Sequence, residues 1–279
     1  MNAGQTERRT PNRKSRTGDR ESTKGLFTHA DVQKIIEKRG IDVNTLPTQA
    51  EIEHRFYERS MAALNRKKAR AIYRYSVFPG NVPAKFAFNK WRPEMQTDMQ
   101  KSRDLGNRAY KLAKQMQKTP KTVILFGPRG TGKTSLALAM LTSLRDQGQS
   151  GLFISTAELS NLMSLQYDAP DVRQRLAGIE RAMKEANVLL LDDFGTEGGM
   201  KLDIKPVRRD MQELMYRVAN ARLNFESNRP RLSTIITTNN EMSELEHMYN
   251  SKLISRLVPK SKDCTLNFEK LTDVRGKRL

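Results

Sequence analysis

One cysteine, Cys264, stands in 279 residues. That excludes an internal disulfide and any zinc site built from several cysteines. The three histidines, His29, His54 and His247, are scattered without metal-ligand spacing. No apolar run approaches the roughly 20 residues that a membrane span needs. The polar, basic N-terminus has no apolar core of a secretory signal. A membrane partner is therefore not expected, and a cytoplasmic location is. Acid is scarce as well: 31 Asp and Glu face 50 Lys and Arg, a formal net charge of +19. The excess is uneven. Residues 55–118 hold 16 Lys/Arg against 4 Asp/Glu, a net of +12, and residues 252–279 hold 8 against 3, a net of +5. A concentration of this kind points first to a phosphate backbone as partner, with an anionic membrane surface or an acidic protein as alternatives.

What is present is punctuated by one stretch, 127–134, reading Gly127-Pro128-Arg129-Gly130-Thr131-Gly132-Lys133-Thr134. An apolar run, Val123 to Phe126, precedes it, and a helical pattern from Ser135 to Arg145 follows. Strand, glycine loop and helix are the context that the P-loop pattern requires. Glycines let phosphates approach bare backbone N–H groups. The following helix turns its positive end to the anion. Lys133 is suited to the β- and γ-phosphates, and the Thr134 hydroxyl to Mg²⁺.

A second motif follows at 188–193: four apolar residues, Val188 to Leu191, ending in Asp192 and Asp193. This is the Walker B pattern. A parallel strand buried on both faces reads as such an apolar run, and acids at its C-terminal end lie where ligands bind in α/β sheets. Asp192 is expected to help hold Mg²⁺ and its water. Asp193 is expected to orient or deprotonate the attacking water. The β-branched strand at 232–237 ends in Thr238-Asn239-Asn240. An amide there is placed to touch the γ-phosphate or the water, though Asn-Asn is also ordinary turn chemistry.

The remaining chain divides by composition. Residues 1–25 are basic and polar and predict a disordered arm. Residues 26–76 predict a short helix over 28–38 and a longer one opened by Thr48 and Glu51 at capping-box spacing. On the longer helix Ile52, Phe56, Met61, Leu64 and Ile72 recur at helical intervals. Packing back on the rest of the chain and docking on a partner both fit this pattern. Residues 77–118 form a linker and a helix over 98–116. The linker interleaves Phe78, Phe86, Phe88 and Trp91 with Lys85, Lys90 and Arg92, either to stack bases or to anchor the linker to the core. Residues 119–279 form the nucleotide-binding domain. Helices are expected there at 157–166, 171–186, 204–225, 242–249 and 251–257, with strands at 151–155 and 264–268 and Cys264 as a buried thiol in the last.

With these residues in place the chain resembles the AAA+ ATPases of the DnaC/IstB group, the replicative helicase loaders of bacteria and phages. The resemblance runs from about Ala71 to the C-terminus. It is carried by the P-loop with Ser135-Leu136-Ala137 and by Walker B with its Asp-Asp-Phe-Gly ending. The segments 213–216, 220–222 and 234–239, Ile254-Ser255-Arg256-Leu257, and 266–268 with 273–275 add to it, as does the upstream stretch 83–88. It implies an α/β AAA+ P-loop NTPase with a five-stranded parallel sheet in the order 5-1-4-3-2, and ATP and Mg²⁺ as cofactors. Residues 127–135, Ser135 included, would hold the nucleotide, with Asn239 as sensor I. Arg256 would reach the γ-phosphate of a neighbouring subunit in a homo-oligomeric spiral or filament, and Arg275 would make a sensor II contact. The helices over 157–186, with Arg173, Arg175, Arg181 and Lys184, would hold single-stranded DNA. The N-terminal extension would bind a hexameric replicative helicase. Asp193 stands where many relatives have Glu, which suits a slow switch. The expected activity is ATP-dependent helicase loading. The alternatives are an IstB-type transposition helper ATPase and a nucleotide-regulated DNA-binding assembly protein without turnover.

Overall fold

The computed structural model describes residues 29–40, 42, 46–167, 169–199, 204–259 and 261–276. The expected basic arm, 1–25, lies outside them. The chain divides into two compact units, 1–55 and 56–279. The first contains α1 (His29–Arg39) and the start of α2 (Gln49–Tyr73). The predicted capping box opens α2. The Thr48 backbone N–H donates to the Glu51 carboxylate at 2.8 Å, and the Glu51 N–H returns a bond to the Thr48 hydroxyl at 3.3 Å.

In the second unit the order is α3 (Met99–Met116), β1 (Thr122–Phe126), α4 (Lys133–Asp146), β2 (Gly151–Ser155), α5 (Thr156–Leu165), α6 (Pro170–Glu185) and β3 (Val188–Asp192). Then come α7 (Arg209–Ala221), a hairpin of β4 (Leu223–Asn224) and β5 (Arg229–Pro230), β6 (Ser233–Thr238), α8 (Met242–Met248), α9 (Ser251–Leu257) and β7 (Thr265–Asn267). Five strands form one parallel sheet in the order β2-β3-β6-β1-β7. Numbered without the hairpin, this is the expected 5-1-4-3-2.

The strands read as unbroken apolar runs because both sheet faces are covered. Side chains alternate between two cores. Val123, Leu125, Phe153, Leu190 and Ile235 pack with α3 and α4, while Ile124, Ile154, Leu189, Leu191 and Ile236 pack with α5 to α9. The β2 edge is extended by the linker. The Val77 N–H donates to the Phe153 carbonyl at 2.8 Å, and the Ser155 N–H to the Val77 carbonyl at 2.9 Å. Phe78 stacks on Phe153 with ring centroids 4.5 Å apart, and Phe88 meets Tyr110 edge-on at 5.3 Å. Trp91 donates to the Ser102 carbonyl at 3.0 Å. These aromatics therefore anchor the linker.

Two expectations are corrected. The helix expected over 204–225 begins only at Arg209 and ends at Ala221. Pro206 disfavours helical geometry at the residue before it. At the other end Asn224 turns the chain by accepting from the Glu226 and Ser227 N–H groups at 2.9 and 3.1 Å. Cys264 closes a short turn just before β7 and is half-buried. A further structural post escaped notice. Arg222 is buried with no carboxylate partner among the described residues, and it donates to the Met183 and Ala186 carbonyls at 2.7 and 2.8 Å and to the Thr234 hydroxyl at 3.0 Å. It thereby satisfies orphan acceptors at the end of α6 and ties them to β6. Burial pulls its pKa down to about 9.

Candidate nucleotide site

The site forms where β1, β3 and β6 end on the same side of the sheet. Parallel neighbours in register bring their C-terminal residues together, so Phe126 pairs with Thr238 and Leu191 with Ile236. The loop after β1 wraps a cavity of about 270 Å³ lined by Gly130, Thr131, Gly132, Lys133, Thr134, Ser135, Asp193, Asn239, Val274 and Arg275. The loop has no room for side chains at Gly127, Gly130 and Gly132. Gly130 has φ +75°, and a Cβ there would lie 2.0 Å from the Asp273 carboxyl group. Gly132 has φ +95°, and a Cβ there would meet the Trp91 ring at 2.9 Å. Glycine is thus demanded by backbone conformation and by packing beneath the loop.

Lys133 is buried at the start of α4. Its ammonium donates to the Gly127 carbonyl at 2.8 Å, the Pro128 carbonyl at 2.7 Å and the Asn239 Oδ1 at 2.7 Å. The Asn239 Nδ2 in turn donates to the Asp193 carboxylate at 3.3 Å. One chain of contacts therefore joins the P-loop, the end of β6 and the second Walker acid. Burial pulls the Lys133 pKa down to about 8, and the carboxylates of Asp193 and Asp192 oppose that shift.

Asp192 is buried and accepts from the Thr237 hydroxyl at 2.7 Å, and the Thr134 hydroxyl lies near enough to favour its charged form. Burial, and then the Asp193 charge, push its pKa up to about 6. Asp193 adopts φ +54°, a conformation that non-glycine residues seldom hold without support. The support is on hand. Its N–H donates to the Thr237 hydroxyl at 2.9 Å, and its carbonyl accepts from the Thr156 hydroxyl at 3.2 Å.

Sequence reasoning missed the residue behind this turn. Glu197 accepts from the Thr156 hydroxyl at 2.7 Å, from the Gly195 N–H at 3.2 Å and from the Tyr249 hydroxyl. Tyr249 stacks on Phe194 with centroids 4.7 Å apart. Burial pushes the Glu197 carboxyl up. The only sequence signal was an acid shortly after Asp-Asp-Phe-Gly, which in a glycine-rich turn reads as a solvated charge.

The structure thus gathers Gly130–Ser135, Asp193, Asn239 and Arg275 around one cavity, with Asp192 behind it and the Gly127 and Pro128 carbonyls holding Lys133. Arg129 lies close enough to help depress the Lys133 pKa. Arg256 is not among the residues lining the cavity. It lies on α9, donates to the Asn220 Oδ1 at 2.5 Å and covers the Tyr216 ring at 4.8 Å.

A curated relative, the ATP-binding protein of insertion sequence IS21 from Pseudomonas aeruginosa, is 28% identical over 137 residues, 49% of this chain and 44% of the relative. The chain thus matches less than half the length of that relative. Among solved structures it is similar to the DnaC helicase loader at 23% identity, with a TM-score of 0.43 over 58% of this chain and 89% of that one. It is also similar to AMPPCP-bound DnaA from Aquifex aeolicus at 15% identity, with a TM-score of 0.44 over 60% of this chain and 49% of that one. The profile of one family, described as IstB-like ATP binding protein, matches residues 44–261. The chain belongs to the IstB-like ATP-binding protein family.

Proposed function

We propose that this protein is a Mg²⁺-dependent ATPase that works on DNA as the helper of a larger machine. The observation that carries the ATPase reading is the Lys133–Asn239–Asp193 chain across the cavity. It holds a cation for the phosphates, a polar amide and a carboxylate within one hydrogen-bonded array. The γ-phosphate competes with the Gly127 and Pro128 carbonyls for Lys133. Asp193, already held by Asn239, orients the attacking water and accepts its proton.

The donor set fits Mg²⁺. The Thr134 hydroxyl and the Asp192 carboxylate are adjacent hard oxygens, and Mg²⁺ binds through one or two protein oxygens while keeping water and phosphate ligands. When bound, the ion neutralises charge that develops between the β- and γ-phosphates. A second cavity of about 220 Å³ shares Thr131, Gly132, Ser135 and Val274 with the first and is lined by Phe86, Trp91 and Met95. It suits the flat apolar base of the nucleotide.

Arg256 serves a neighbouring subunit's nucleotide in a homo-oligomer, which accords with its absence from this chain's own cavity. Two partners are in play. Helicase loading, with the N-terminal region holding a hexameric replicative helicase and α5–α6 holding single-stranded DNA, accounts for the long basic extension. The second reading, service to a transposase on duplex DNA, is favoured by the family profile and by the insertion-sequence relative.

Steady-state hydrolysis by the full chain, with and without Mg²⁺, tests the enzyme reading. Turnover that needs Mg²⁺ and vanishes in Lys133→Ala supports it. A folded wild type that binds ATP but never turns it over, alone or with DNA, leaves only the assembly-protein alternative. Capture of the host helicase against capture of a transposase then separates the two partner readings.

A further inference from the structure

The second half of α2 differs from the first. Arg66, Lys67, Arg70 and Arg74, with Ala63 and Ala71, line a groove of about 560 Å³. Arg66, Lys67 and Arg70 lie on α2 and Arg74 just past its last residue, so at 1.5 Å rise per residue the row spans about 12 Å. On its other flank Lys68, Ala71, Ile72 and Tyr75 close a cavity of about 230 Å³ against Arg181, Ala182 and Glu185 of α6. The two helices are locked together. A Cβ on Gly178 of α6 would meet the Tyr75 ring at 2.3 Å, so glycine is what lets that ring approach. Ile72 is buried in the same apolar cluster as Ile179 and Ala182. The cations of α2 are therefore held close to Arg181, which α6 leaves exposed; Arg173 and Arg175 are exposed farther up the same helix.

A solvated helix face usually mixes charge signs. From α2 into the linker no acidic residue occurs between Glu58 and Glu94, whereas α6 mixes signs, with Asp171 and Glu185 exposed beside its arginines. Among the described residues none of Arg66, Lys67, Arg70, Arg74, Arg173, Arg175 and Arg181 forms an ion pair with a carboxylate. The groove itself carries alanines, not the large apolar wedges that an interfacial membrane helix inserts into lipid. A narrow row of unpaired cations complements a phosphodiester backbone.

We propose that the second half of α2 and the exposed face of α6 form one track for a nucleic-acid backbone. This rests on the DNA-helper reading and gives the phosphate-bearing partner expected from the charge of residues 55–118 a definite surface. The test is fluorescence anisotropy of the full chain with a labelled 30-nucleotide oligo-dT and a 30-base-pair duplex, over a salt series. The variant combines Arg66→Gln, Lys67→Gln, Arg70→Gln and Arg74→Gln, and the control combines Arg103→Gln with Lys111→Gln on α3. The quadruple variant is expected to bind at least about tenfold more weakly at 0.1 M salt. On the single strand its plot of log affinity against log salt should be flatter by about 3. The control and an all-lysine version of the groove should stay near wild type, and unchanged ATP binding shows that the variant is folded. Wild-type affinity and slope in the quadruple variant overturn the track while leaving DNA binding standing. No DNA binding by wild type overturns both. Loss of binding to vesicles with 30% phosphatidylserine, with DNA binding untouched, assigns the groove to lipid and overturns the proposal.

Discussion

The nucleotide site and α2 are built on opposite terms. At the site the polar groups answer one another within the chain: Lys133 to Asn239, Asn239 to Asp193, Asp193 to Thr237 and Thr156, Thr156 to Glu197. Among the described residues the apolar stripe on α2 has no such answer. Phe56 is 72% and Leu64 59% exposed, with Tyr57 and Met61 exposed beside them, and Ile72 is the first large apolar residue of the helix to be buried. The contrast teaches where each region's energy comes from. The site is preorganised, which is how a binding pocket avoids reorganisation during reaction. The stripe leaves apolar surface for something else to cover.

The contrast can be broken or sharpened by substitution. The largest effect is expected from Lys133→Ala, which removes the cation common to three contacts. Hydrolysis should fall by at least about a hundredfold, and a folded variant with near-normal turnover would sink the P-loop assignment. Next comes Arg256→Ala, which should slow hydrolysis by about a hundredfold or more while ATP affinity holds. Mixing it with Lys133→Ala protein should restore part of the activity. Silence from mixtures that demonstrably co-assemble would count against a role in trans.

Glu197→Ala leaves the Tyr249 hydroxyl and the Gly195 N–H without their acceptor and takes from the Thr156 hydroxyl its shortest bond. A loss of about 1–3 kcal/mol in unfolding free energy is expected, with slower turnover at saturating ATP because the Asp193 turn loosens. Thermal melts and kcat together read this, and an unchanged melting temperature would refute it. A gentler probe is pH. Asp192, at about 6, loses its charge as pH falls, and Lys133, at about 8, loses its charge as pH rises. The profile of kcat/KM should therefore be a bell with limbs near these values; a flat profile from pH 5 to 9 contradicts it. The smallest effect on the ATPase belongs to Phe56→Ser with Leu64→Ser. Stability and turnover should stay within about 0.5 kcal/mol of wild type, while capture of the partner protein falls. A large drop in melting temperature would show that the stripe is covered within the chain.

The parts of this site legible in the sequence are the local ones. A glycine loop between strand and helix, and two acids ending an apolar run, are signals contained in a few neighbouring residues. Register then carries Asn239 to the same place, because parallel strands end together. What was not legible depends on partners far along the chain. Glu197 owes its environment to Thr156 and Tyr249, and Arg222 to the end of α6. The start of α7 was misread because apolar periodicity continues through Pro206, where the backbone cannot follow it. The dual character of α2 was partly visible: composition showed the excess of one charge sign and periodicity the apolar stripe, but neither shows that the two lie on different lengths of one helix.

Trp91 is the one tryptophan in the chain. Its ring is wedged between two glycines, one in the P-loop and one on α3. A Cβ added at Gly132 would approach it to 2.9 Å, and one at Gly106 to 2.8 Å. It also lines the cavity assigned to the base. The molecule therefore carries its own optical reporter. Excitation of a single indole, without any label, follows nucleotide arrival and departure in stopped flow, and no second tryptophan blurs the signal.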